Sequence, residues 1–315
     1  MTKKRDLGKT LRQFGLLLVV IIIVVVMKFL SPVFLTTKNI TNVLRQISMN
    51  GILAVGMTFV ILTGGIDLSV GSVVAITGVF VGNLMEQGTN WMLASLVALI
   101  ASAAVGIING VLIAYVGFQP FIATLSTMTI GRGFALAYSD GKPYAIKNEA
   151  FKAIGQGTLG RVPIPIILLL IVCAVGMIVL NMTTFGRYVF AIGGNKNAAK
   201  LSGVRTKRVE MFVFIISSIC AWLVGLILAA RISSGQPTAG EGYEMDAIAS
   251  TAIGGTSMSG GIGSLSGTIL GFVIIGLLSN SMNLLNINSF YQQIVKGLLI
   301  IVAVLLDMMS KGRRE

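Results

Sequence analysis

Runs of about twenty apolar residues recur from one end of this chain to the other, and no other feature constrains its fold so strongly. A membrane-spanning helix needs about 20 mostly apolar residues. The stretches 14–30, 91–116, 120–138, 163–182, 211–231, 265–285 and 290–308 meet or approach that length. Of the 315 residues only 11% are charged while 55% are hydrophobic, and the mean hydropathy is +0.90. A water-soluble domain carries about 25% charged residues, so too little charge is present to wet a globular surface. A soluble enzyme, a disordered regulator and a nucleic-acid binder with a water-exposed body are excluded.

Two further regions are apolar but interrupted by glycine. Residues 49–63 run into Gly64-Gly65-Ile66-Asp67-Leu68-Ser69-Val70-Gly71, and an apolar run resumes over 72–85. Residues 246–258 run into Gly254-Gly255-Thr256-Ser257-Met258-Ser259-Gly260-Gly261. Counting both halves of the first and one short helix for the second predicts an all-α polytopic membrane bundle. It has about ten transmembrane segments, among them two glycine-broken helices.

The cations give this bundle a direction. The formal net charge is +13, and more than half of the 24 lysines and arginines fall in three segments. Lys3, Lys4, Arg5, Lys9 and Arg12 precede the first run; Arg187, Lys196, Lys200, Arg205, Lys207 and Arg208 crowd one central loop; Lys311, Arg313 and Arg314 end the chain. Cytoplasmic loops retain such an excess. Ten crossings put all three on one side, with both termini cytoplasmic and the acidic loop of Glu241, Glu244 and Asp246 outside. Nine or eleven would separate the basic ends, whereas eight crossings with two re-entrant segments would also keep them together. The expected organisation is a basic cytoplasmic N-terminus (1–13), one transmembrane domain (14–308) with a cytoplasmic loop at about 183–210, and a basic cytoplasmic tail (309–315). The first apolar run follows cations as a secretory signal does. No small-x-small cleavage site comes after it, so it reads as a retained span.

Several chemistries are missing. Histidine is absent, which excludes histidine general bases, Ser-His and Cys-His dyads and the HExxH zinc site; no catalytic residue and no metal ligand set is expected. Cys173 and Cys220 each lie in an apolar run and read as small packing residues. Leu7-Gly8-Lys9-Thr10 contains a GKT triplet, but a phosphate loop needs glycine five positions before Gly8, where Lys3 stands. The chain is expected to bind no nucleotide.

The residues around Asp67 hold the strongest functional signal. Nonhelical backbone at membrane depth survives only where protein buries it or a cavity is lined by it, and a carboxylate there is costly unless paired or hydrated. Gly64, Gly65, Asp67 and Ser69 therefore form either a structural break or a gate. Gly254 and Gly255 repeat the punctuation, as two broken helices of an internal repeat would. In the central loop, Asn195 is suited to cap a short helix favoured by Ala198, Ala199 and Leu201, with Gly203 ending it. Such a helix suits a plug for a cytoplasmic partner or a contact with anionic lipid. Asn280 and Asn283 share a helix face and fit a polar pathway or interhelical glue. Glycine pairs at 78/82, 106/110 and the ladder 263/267/271 favour close helix packing.

Residues 54–72, AVGMTFVILTGGIDLSVGS, are similar to the hallmark of the ribose/xylose/arabinose/galactose-type ATP-binding-cassette permeases. So are AIGGNKNAAKLSGV (191–204), AARISSGQPTAGEGYEMDAIA (229–249), residues 254–261 and NLLNINSFYQQIVKGLLIIVAVLLD (283–307). The resemblance runs from about residue 31 to 308. It departs at Ile262 and Ser264-Leu265, where many relatives carry a basic residue and further apolar ones. The resemblance implies an importer subunit in a prokaryotic inner membrane, paired as a homodimer, that passes a monosaccharide, with ribose as the expected sugar. An extracytoplasmic binding protein delivers the sugar, and a cytoplasmic ATPase uses ATP and Mg. It also implies that the ATPase grips Asn195, Asn197, Ala198, Ala199, Leu201, Ser202 and Gly203. The alternative is an ion-coupled secondary transporter of a small polar solute, disfavoured because only Asp67 and Asp307 are membrane acids able to carry protons.

Overall fold

A computed structural model describes residues 2–312, with side chains over 14–309 apart from that of Leu306. The basic segments expected at 1–13 and 309–315 lie almost wholly outside the described side chains. The first helix, α1 (Thr2–Leu30), leads into α2 (Thr37–Leu62), whose start is capped by Thr36 accepting from the Asn39 amide. Next come α3 (Val70–Glu86), α4 (Trp91–Val111) and α5 (Pro120–Ser139). A strand β1 (Tyr144–Ala145), the short helix α6 (Glu149–Gln156) and a hairpin β2 (Thr158–Leu159) and β3 (Val162–Pro163) follow. Then α7 (Ile164–Met182), α8 (Thr184–Gly194), α9 (Lys196–Leu201) and α10 (Thr206–Ile232) run on to β4 (Ser234–Gly235). The chain ends with α11 (Tyr243–Ile253), α12 (Leu265–Leu284) and α13 (Ser289–Gly312).

Among the described residues six helices are long and apolar enough to cross a membrane: Thr37–Leu62, Trp91–Val116, Ile164–Met182, Thr206–Ile232, Leu265–Leu284 and Ser289–Met309. Two shorter apolar helices, Phe14–Leu30 and Val70–Glu86, accompany them. The expected bundle of apolar helices is therefore present, and the strands among the described residues are four two-residue pieces in loops.

Every residue from Ile47 to Leu62 is buried, as expected of a helix that is apolar all round. Helix α2 is thus the centre of the bundle, and α10 packs against α2, α3 and α4 together. In lipid, apolar burial does not drive helices together; close van der Waals contact does. The glycine pairs supply it. A Cβ at Gly106 would stand 2.9 Å from the Ile215 Cα, and one at Gly110 2.8 Å from the Met211 Cα, so α4 lies backbone-to-backbone on α10. Gly267 and Gly271 of α12 likewise abut the Gly254 and Ser250 carbonyls of α11.

The two glycine interruptions differ in kind. The first follows a helix already long and apolar enough to cross a membrane. Helix α2 begins at Thr37, well before the apolar run at 49, and completes 26 residues before the turn. Sequence hydropathy underestimates it because its first turns carry Thr37, Lys38, Asn39, Thr41 and Asn42. The second is a true half-helix: the 11 residues of α11, at about 1.5 Å each, reach about 16 Å against a hydrocarbon core of about 30 Å.

Polar pairing fastens one end of the bundle. Antiparallel β1 and β4 match Tyr144 with Gly235, the Arg45 guanidinium donates to the Gln156 carbonyl, and the Gln156 amide donates to the Ala230 and Arg231 carbonyls at 3.1 and 3.0 Å. The loop 140–163 is tied down on α10 through α6, whose Phe151 is wholly buried.

Candidate functional site

The other end of the bundle gathers the residues that the sequence singled out. Helix α2 stops because Gly64 turns into the left-handed region at φ +81°, where L side chains are strained. The Gly261 amide donates to the Leu62 carbonyl at 2.9 Å, bringing the turn that follows α11 onto the end of α2. Gly193, at the end of α8, lies on the same carbonyl so closely that a methyl group there would overlap it. Three glycine pairs far apart in sequence, at 64–65, 193–194 and 260–261, therefore meet. The structure joins the two glycine motifs to the central loop, a connection that spacing alone does not reveal.

Just past this junction Asp67 is 0% exposed. Its Oδ1 accepts from the Ser69 amide at 3.0 Å and from the Ser69 hydroxyl at 2.6 Å. The Asn109 amide of α4 donates to the Ser69 Oγ at 2.9 Å, and the Thr127 hydroxyl of α5 donates to the Asn109 Oδ1 at 2.7 Å. Thr124 donates to the Ile66 carbonyl at 3.1 Å. The carboxylate thus organises a chain of polar bonds that ties the α2–α3 turn to α4 and α5, and freed backbone groups find partners within protein.

The later turn is held in a parallel way. The Ser257 hydroxyl and Met258 amide donate to Asp307 Oδ2 of α13 at 2.9 and 3.3 Å, and the Ser257 amide donates to the Ile262 carbonyl at 2.8 Å. Each glycine turn thus carries a carboxylate that receives a serine hydroxyl.

Beyond the junction stands α9. Asn195 caps it, accepting from the Ala198 amide at 2.9 Å, Ser202 follows its last turn, and Gly203 reverses the chain at φ +84°. Lys196 bridges to Glu210 of α10 at 2.7 Å, and the Val204 amide returns to the Ala199 carbonyl. The side chains divide sharply. Ala199 is only 5% exposed and belongs to the core, whereas Leu201 is 90% exposed. Ala199 therefore anchors the knob to the bundle, and Asn197, Ala198, Leu201, Ser202 and Gly203 are the residues that it presents.

Asn280 is buried in a reciprocal amide pair with Asn39 of α2, at 2.9 and 3.1 Å. Asn283 is exposed and accepts from Gln292 of α13 at 2.8 Å. Both tie helices together at the far end, away from the glycine junction.

Sequence reasoning passed over two charged residues. Arg132 of α5 donates to the Pro237 and Ala239 carbonyls at 2.7 and 2.8 Å and to that of Gly71 at 3.3 Å, pinning the loop after β4 over the start of α3. Lys296 of α13 bridges to Asp246 of α11 at 2.8 Å, with Asp246 only 6% exposed. The signal was present: each is a lone cation inside an apolar run, where charge persists only with a partner.

Residues 39–304 match the family described as branched-chain amino acid transport system / permease component. The chain belongs to this permease family. It is a family of transport subunits rather than enzymes, and the permease is a multi-pass membrane protein. It is 45% identical over 284 residues to the ribose import permease of Bacillus subtilis, covering 90% of this chain and 88% of that one. With the ribose import permease of Haemophilus influenzae it shares 46% over 286 residues, again 90% and 88%. The L-arabinose transport system permease of Escherichia coli is 38% identical over 300 residues, covering 95% and 92%. No solved structure matches the permease significantly.

Proposed function

We propose that this permease is the membrane-spanning half of an ATP-binding-cassette importer that admits a monosaccharide, ribose foremost, through a prokaryotic inner membrane. The observation that carries this reading is its 45% and 46% identity to two ribose import permeases over 90% of its length. In this reading two copies enclose the pathway, an extracytoplasmic protein delivers the sugar, and a separate cytoplasmic ATPase supplies the energy from ATP and magnesium. The permease itself binds no cofactor.

The alternating course of the helices supports ten crossings with both termini cytoplasmic. They are α1, α2, α3, α4, α5, α7, α10, α11, α12 and α13, with α11 and its glycine turn making one crossing together. The glycine junction and α9 then lie at the cytoplasmic end, and β1, β4 and α6 outside.

The geometry suggests how a motor acts on the bundle. Leu201 and its exposed neighbours fit a groove in the ATPase. Ala199, the Lys196–Glu210 bridge and the Asn195 cap fix the knob rigidly to α8 and α10. A displacement of α9 therefore moves α8, whose Gly193 rests on the Leu62 carbonyl, and reaches both glycine turns. Asp67 and Asp307 keep each turn's shape while the turns shift. Asn280 and Asn283 fasten helices.

Uptake of labelled ribose into proteoliposomes holding the permease, its ATPase and its binding protein tests this reading. Uptake that needs ATP and survives collapse of ion gradients supports it. Uptake that follows an ion gradient without ATP replaces it with an ion-coupled transporter.

A further inference from the structure

The α9–α10 corner contains a second feature that the transport reading does not use. A cleft of about 510 Å³ opens between the end of α4 and this corner. One wall is Ala114 and Tyr115, from a π-helical turn over Leu112–Val116 that closes α4 before Gly117 at φ +93°. The other is basic: Lys200, Arg205, Lys207 and Arg208. Lys196 also lines the cleft but is engaged by Glu210. Lys207 holds its ammonium 5.4 Å from the centre of the Tyr115 ring, which fixes one cation and the aromatic wall together. Among the described residues no salt bridge engages Lys200, Arg205, Lys207 or Arg208. At the opposite end, by contrast, Lys142 and Lys152 are paired with Asp140 and Glu149.

What the cleft adjoins identifies its occupant. Tyr115, Val116 and Phe118 are exposed, and an exposed aliphatic track of Ile107, Ile108 and Val111 runs from them up α4. Phe212 and Ile219 continue that track on the neighbouring face of α10. A phosphate held by the basic wall would thus have hydrocarbon directly beneath it. A soluble anion needs no such track, and an acidic protein surface would make no use of it. We infer that this cleft binds the phosphate headgroup of an anionic phospholipid, with its acyl chains along the α4–α10 track. The site requires only that the chain spans a bilayer, so it stands or falls separately from the identity of the transported solute. A lipid seated there braces the root of α9 against the end of α4.

Native mass spectrometry of the full chain, released from nanodiscs of mixed phosphatidylglycerol and phosphatidylcholine, tests the site. The unaltered chain should retain phosphatidylglycerol in preference. Each basic residue near an anionic surface contributes about fivefold in affinity, so Arg205→Gln with Arg208→Gln should weaken retention about twenty-five-fold. Lys147→Gln with Arg161→Gln, an equal loss of charge at the other end of the bundle, should leave retention unchanged. Retention that survives the Arg205/Arg208 change, or that falls equally in the control, overturns the proposal. So does displacement of the lipid by inorganic phosphate, which would make the cleft a soluble-anion site. Loss of ATPase co-purification from the double variant with lipid retention intact would assign the basic wall to the protein partner and overturn it as well.

Discussion

Adjacent glycines at the end of α8 should respond in opposite directions to the same substitution. A methyl group on Gly193 would overlap the Leu62 carbonyl and the Gly261 amide, and would stand 3.0 Å from the Gly261 Cα. All three are backbone atoms, so no flexible side chain can give way. Overpacking of this kind costs about 1–3 kcal/mol, and losing the Gly261-to-Leu62 hydrogen bond costs about 0.5–1.5 kcal/mol. Alanine regains up to about 1 kcal/mol of helix propensity over glycine. Gly193→Ala should therefore destabilise by about 1–3 kcal/mol. Gly194 has open space around its Cβ position and an ordinary φ, so Gly194→Ala should be neutral or stabilising by up to about 1 kcal/mol. The two variants should thus differ by about 1–4 kcal/mol. Thermal unfolding in detergent, followed by size-exclusion and near-UV signals, reads that difference as about 2–6 °C. Coupled uptake measured on the same preparations should fall for Gly193→Ala alone. Equal melting points and equal transport for the two variants would refute a close three-way junction at Leu62.

Three further outcomes follow from individual contacts. Ala199→Glu should lower folded yield, because it drives a carboxylate into the core beneath the knob, whereas Leu201→Asp should leave the melting point unchanged and abolish ATPase co-purification. Normal co-purification with Leu201→Asp would remove the knob from the interface. Lys296→Met should cost about 3–5 kcal/mol by leaving Asp246 buried without its partner; adding Asp246→Asn should restore most of the folded yield, and no recovery would mean that the bridge is not what α13 depends on. Asn280→Leu should cost about 1–3 kcal/mol by leaving the buried Asn39 Oδ1 without its donor, although the Asn39 Nδ2 keeps the Phe34 carbonyl. Its sugar selectivity should not change, and altered selectivity in a competition uptake assay would return Asn280 to the pathway.

Much of the site was legible as pieces. The capping of α9 by Asn195 and its end at Gly203 are local events, decided by a side-chain oxygen reaching an amide three residues on and by a residue tolerant of positive φ, and both stand as expected. Which alanine faces the core was not legible. In so short a helix Ala198 and Ala199 are equivalent by propensity, and only the packing of α9 on α8 and α10 buries one and exposes the other. The length of α2 was misjudged for a related reason: of the polar residues in its first turns only Asn39 is buried, paired with Asn280 of α12, and a hydropathy window cannot register a partner that comes from elsewhere in the chain. The anchoring roles of Arg132 and Lys296 escaped notice because a lone cation in an apolar run announces a partner without naming it.

By itself the sequence determined that this chain lives in a bilayer, that it is helical, where its backbone must break and which loop is basic. Those properties follow from the cost of exposing peptide groups and charge to hydrocarbon, a cost paid residue by residue. Only the tertiary structure decided that the breaks at 64 and 260 and the end of α8 share one carbonyl, and that five cations line a cleft beside an aliphatic track. Those facts depend on helix order and crossing, which arise from contacts between backbones far apart in the chain and leave no local trace beyond the glycines that permit them.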